Sequence, residues 1–166
     1  ELMKILYTED YYEAVWSIPP ITVGVYFVFL YSVFVNIESY FSKTTYIMYV
    51  SVACGILNII LNYLLIDVFG YIVCGYTTMV SYIAFSVGHF YFMKKVCKDE
   101  IPGIVLFDIK GIIFISIAVI IFSVMIIFLY PYWIIRYGII LCAAIAAVWK
   151  RKNIMELIGK TIVKKA

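Results

Sequence analysis

Charge is what this chain has least of. Only 14% of its 166 residues are Asp, Glu, Lys or Arg, where a soluble domain carries about 25%. Hydrophobic residues make up 66%, against about 45–50% in a soluble domain. That much apolar surface cannot be hidden from water by a chain of this length, so the solvent it meets is lipid. Nucleic acid is excluded as a partner, and membrane lipids are the expected surroundings. There is one histidine. An enzyme would need clustered acids, a histidine with an orienting group, or a metal set, so no enzyme, metal or cofactor is expected. Of the four cysteines, Cys54, Cys74 and Cys142 lie in apolar runs and Cys97 in a Lys-rich stretch, so no disulfide framework is spelled out. Period-2 alternation is missing, which excludes a membrane barrel. No signal-peptide pattern opens the chain. It begins on Glu1 in mid-pattern, and the expectation is a piece of a longer protein.

What is present is a series of apolar runs, at about 17–37, 44–66, 71–93, 111–130 and 132–149, here called A to E. Each is near the roughly 20 residues that carry a helix across hydrocarbon, and a helix pairs its own backbone polar groups there. The fold class expected is therefore all-α, a polytopic integral membrane protein with about five transmembrane helices. Five spans sort the basic residues to one side of the membrane. Lys43, Lys94, Lys95, Lys98, Lys110 and the basic tail 150–166 fall together, and only Lys4 and Arg136 are left opposite. By the positive-inside rule the A–B loop, the C–D loop and the C-terminus are cytoplasmic. The tail is either an amphipathic segment on an anionic leaflet or a solvated basic end that only fixes topology. Pro19-Pro20 either bends a moving helix or lies in its first turn.

The polar residues inside these runs carry the functional argument. In run B, Ser51, Gly55, Asn58 and Asn62 fall on one helical face. Ser51 and Gly55 form a small-xxx-small pair that admits a neighbouring helix. An amide left unpaired in hydrocarbon costs roughly 2–7 kcal/mol, so Asn58 and Asn62 must face protein or water. Run C has two polar stripes: Gly75, Thr78, Tyr82, Ser86 and His89 on one side, Thr77, Ser81 and Gly88 nearly opposite. Two stripes predict neighbours on both sides, either helices throughout or helices and a wet cavity. His89 is either an interfacial histidine or a pathway residue, and Arg136 either snorkels outward or faces an anionic substrate. Glu38 and Asp67 fall at the ends of runs, so no run is expected to hold an acid in its core.

The passage NIILNYLLIDVFGYIVCGYTTMVSY, residues 58–82, resembles the paired-helix signature of bacterial polysaccharide and O-antigen flippases of the multidrug/oligosaccharidyl-lipid/polysaccharide exporter superfamily. Asn58 and Asn62 match the helix end, Phe69-Gly70 the turn, and Gly75, Thr78 and Ser81 the following helix. HFYFMKK (89–95), NIESYFSKT (36–44) and YYEAVWSIPP (11–20) resemble its flanks. Tyr76 stands where many relatives have a small residue. The resemblance implies a partial C-terminal lobe of a MATE-like two-lobe transporter in the bacterial cytoplasmic membrane, with the N-terminal lobe elsewhere in the same protein. It implies a lipid-linked oligosaccharide as substrate, flipped by alternating access, and polysaccharide assembly proteins as partners. Asn58, Asn62, Thr78, Tyr82, His89 and Arg136 are the substrate-pathway candidates; Ser51, Gly55, Gly70, Gly75 and Ser81 are the helix-packing candidates. The rival readings are a cation-coupled drug exporter of the same superfamily and a small accessory membrane subunit.

Overall fold

The computed structural model describes residues 9–104 and 106–149; several side chains near its ends, Arg136 among them, lie outside that description, as does the basic tail 150–166. Every regular element among the described residues is helical. A 3-10 segment at Glu9–Ser17 leads into α1 (Ile18–Tyr40), α2 (Thr44–Phe69), α3 (Val73–Glu100), α4 (Ile109–Leu129) and α5 (Trp133–Trp149). A helix stands at each of the five expected runs. Three of the helical stretches are long and apolar enough to cross a membrane: Tyr12–Tyr40, Thr44–Phe69 and Ile109–Leu129. The hydroxyls of α3, its histidine and the lysines near its end dilute its apolar character. The 17 residues of α5 rise only about 26 Å.

Residues up to Ile127 form one compact unit, and Phe128 onward, including α5, a second. Within the first, α3 packs on both α1 and α2, as its two polar stripes require. Ser17 touches Ile72, and Phe34 touches Phe90, so α1 and α3 run parallel. Ser123 on α4 donates to the Pro19 carbonyl at 3.0 Å, and the Ser116 and Tyr26 hydroxyls share a 3.0 Å hydrogen bond. These pairings set α4 antiparallel to α1.

The interior is polar to a degree no soluble core would tolerate. Val23, Phe27, Phe34, Val50, Met93 and Val96 are buried, but so are Glu38, Thr77, Ser81, Ser86, His89 and Ser123. Large apolar side chains point outward instead: Phe29, Ile59, Tyr63 and Phe114 are each at least 66% exposed. In water this would be an aggregation surface; in a bilayer it is the lipid-facing shell. This is a membrane protein.

The turns explain themselves locally. Pro19 and Pro20 occupy the first turn of α1, where a missing N–H costs nothing, so the first-turn reading of that pair holds. Gly70 ends α2 at φ +71°, its N–H donating to the Ile66 carbonyl at 2.8 Å. A Cβ there would meet nothing within 4 Å. Gly70 is therefore a turn residue and not the packing residue the sequence suggested. Gly75 is the reverse case: a Cβ would come within 3.0 Å of the Ser17 Cβ. Lys43, in the turn after α1, pairs with Glu100 at the end of α3 at 2.8 Å, and that carboxylate holds the exposed ammonium above its usual pKa.

These two glycines separate in a stability measurement. Gly75→Val should cost about 1–3 kcal/mol by overpacking, and Gly70→Ala about 1–3 kcal/mol through its backbone alone, since φ +71° with ψ −173° is a conformation essentially confined to glycine. Reversible unfolding in mixed micelles checks both. Asn at position 70 should be no better than Ala, because its tolerance is for the left-handed helical region and Gly70 has ψ −173°. At position 75 Ala should cost less than Val.

Candidate functional site

Asn58 and Asn62 are one turn apart on α2 and turn toward α3. The Asn62 amide donates to the Asn58 carbonyl oxygen at 3.2 Å, and the Asn58 amide donates to the Ser81 hydroxyl at 3.1 Å. The Thr77 hydroxyl donates to the Asn62 carbonyl oxygen. Ser81 in turn donates to the Thr77 backbone carbonyl at 2.8 Å. The chain of bonds closes on itself across the α2–α3 seam. This satisfies two amides and two hydroxyls that hydrocarbon would penalise. Thr77 and Ser81 are buried, and the two asparagines half-buried.

The network lies along one wall of a cleft of about 340 Å³. Ser51, Cys54, Gly55 and Asn58 line it from α2, and Thr78, Ser81, Tyr82 and Phe85 from α3. Three of the substrate-pathway candidates, Asn58, Thr78 and Tyr82, thus meet in one place. Asn62 supports them through Asn58. Ser51 and Gly55 are exposed, and a Cβ on Gly55 would meet nothing within 4 Å. Among the described residues, no helix of this chain fills the small-xxx-small notch expected to pack one; the notch is a floor of the cleft. Ser81 and Gly75 do pack, against α2 and Ser17 respectively. Tyr76 is 39% exposed, clear of the close contact at Gly75.

His89 sits elsewhere, at the α1–α3 seam. It is fully buried against Glu38, whose carboxylate oxygens lie 3.1 and 3.0 Å from Nδ1. Glu38 does lie in the last turn of its helix, but it is buried there, which the sequence did not suggest. Helix α1 continues through Tyr40, three residues past the expected run, and draws the acid into the bundle. Two features of the sequence are compatible with the pairing without specifying it. Runs A and C both enter from the same side, so residues near their far ends share a depth. The chain also has a single histidine and few acids. Arg136 lies on α5, its side chain outside the described residues.

Protein-family models, curated proteins and solved structures were each compared with this chain, and none matches it.

The asparagine network makes a measurable claim. Interhelical hydrogen bonds in membranes average about 0.6 kcal/mol and reach about 1.7 kcal/mol. A double-mutant cycle on Asn58→Ala and Ser81→Ala should return a coupling in that range, and a cycle pairing Asn58→Ala with the distant Ser116→Ala should return none.

Proposed function

We propose that this chain is part of a membrane carrier that moves a lipid-linked oligosaccharide across the bacterial cytoplasmic membrane, and that the α2–α3 cleft is a stretch of the glycan's path. One observation carries the reading: a cleft lined by amide, hydroxyl and aromatic groups on an otherwise apolar surface. A sugar presents hydroxyls around its edge and C–H groups on its faces. Asn58, Thr78 and Ser81 suit the first, Tyr82 and Phe85 the second. The lipid anchor of such a substrate stays in hydrocarbon, beside the exposed Ile56, Ile59 and Ile60 of α2. The resemblance of residues 58–82 to the flippase signature points the same way. Under this proposal all five helices span, the C-terminus is cytoplasmic, and a second lobe of the protein faces the cleft in a MATE-like arrangement.

Alternating access then has a simple physical basis. Water fills the cleft when the lobes part on one side, so the polar wall is solvated. The opposing lobe replaces that water when they close, and the glycan moves between the two conditions without meeting lipid. A second reading, a cation-coupled exporter of the same superfamily, is favoured by the burial of Glu38, since such exporters need an acid within the membrane.

The test uses the intact protein at its normal expression level, with surface glycan as readout. Tyr82→Phe keeps the ring that packs near Gly24 and removes only the hydroxyl. With Thr78→Val it should lower export by about two- to tenfold, the equivalent of one net hydrogen bond each. Unchanged glycan together with altered drug sensitivity would move the assignment to the exporter.

A further inference from the structure

The carrier reading leaves His89 and Glu38 without a role. Both side chains are fully buried. Imidazole Nδ1 faces the carboxylate, while Nε2 is buried with no hydrogen-bond partner among the described residues. Two aromatic rings close the site. Tyr31 stacks on the imidazole with centroids 5.9 Å apart, and Phe85 meets it edge-on at 4.7 Å. Those rings also touch each other, at 4.4 Å. Phe85 lines the cleft as well, so a single ring contacts both the cleft and the buried pair.

The proton count is decisive. A carboxylate with a neutral imidazole donating Nδ1–H carries a net charge of minus one, buried and uncompensated. Nε2 is then a bare acceptor. One proton taken from hydronium, leaving water, makes the pair net neutral, as imidazolium with carboxylate or as imidazole with carboxylic acid. In the imidazolium form, and in the acid form whose carboxyl O–H donates to Nδ1, Nε2 carries a hydrogen, and among the described residues it meets no acceptor. Each state is thus deficient in the present arrangement, the one by charge and the other by an orphaned donor. Gaining or losing the proton favours different placements of the surrounding rings.

The geometry points to Glu38–His89 as a binding site for a single proton, with its occupancy linked through Tyr31 and Phe85 to the shape of the cleft. The inference is independent of what the cleft carries. Other titratable groups on the packed elements are engaged elsewhere or lie beyond the pair. On α1, Tyr31 is the stacked ring itself. On α3, Lys94 lies over Phe90 at 5.7 Å and Lys95 over Tyr46 of α2 at 5.4 Å. Lys43 pairs with Glu100. Asp108, ahead of α4, accepts from the Lys110 backbone N–H. The charge of the pair is therefore set mainly by its own two members.

The experiment takes the intact protein in lipid nanodiscs with ¹⁵N-labelled histidine and a nitroxide on Cys54 as the sole cysteine. The His89 resonances are identified by their loss in His89→Gln. The ring nitrogens of His89 should titrate, and the nitroxide's accessibility to a water-soluble nickel chelate should change with the same midpoint. Glu38→Gln should lower that midpoint by at least about one pH unit and abolish the nitroxide response. Glu38→Asp keeps a carboxylate, so it should keep the response at a shifted midpoint, which separates lost chemistry from lost folding. A His89 that fails to titrate between about pH 4 and 9 would overturn the assignment. So would a titration that the label does not follow, or a label response that survives Glu38→Gln. Glycan export lost in cleft variants with the pH response intact would leave the proton site standing; the converse would leave the cleft standing.

Discussion

A polar group in hydrocarbon must be answered by another polar group or by water, and the rest of this structure follows from that constraint. The lipid tails outside are as apolar as the leucines they touch, so there is no hydrophobic drive to press these helices together. Association rests on close packing and on bonds between side chains. That is why the seams hold Ser17, Thr77, Ser81, Ser123, His89 and Glu38, and why the large aliphatic side chains are turned out. A soluble bundle would place them the other way round.

The two seams of α3 solve the same problem differently. Against α2, four neutral groups form a closed ring of donors and acceptors, and no charge is involved. Against α1, an acid and a histidine face each other and one nitrogen is left over. The first arrangement closes on itself through the Thr77 hydroxyl and backbone carbonyl. The second is incomplete, and its deficit is chemical in kind, a matter of one proton.

Much of this was legible from residue order alone. The helical runs, the lipid environment and the turning of Asn58 toward protein or water follow from hydropathy and from the 3.6-residue repeat. So does the need for neighbours on both sides of α3. What escaped was information that spacing does not contain. Gly55 and Gly70 look alike in sequence, yet one floors a cleft and the other turns the chain at positive φ. Glu38 was hidden because a helix end is a matter of a few residues. The apolar run stops before Glu38-Ser39-Tyr40, whereas the helix does not. The acid's burial depends on a partner 51 positions away, and only the parallel alignment of α1 and α3 reveals it.

The central claim is that the polar face of α2 meets water while its opposite face meets lipid. Cysteines placed singly from Ser51 to Tyr63 in the intact protein, and challenged with a membrane-impermeant maleimide, read that contrast directly. The account predicts rapid labelling at Ser51, Cys54, Gly55 and Asn58 and protection at Ile56, Ile59, Ile60 and Tyr63, in step with the helical repeat. Uniform protection along the helix would contradict it.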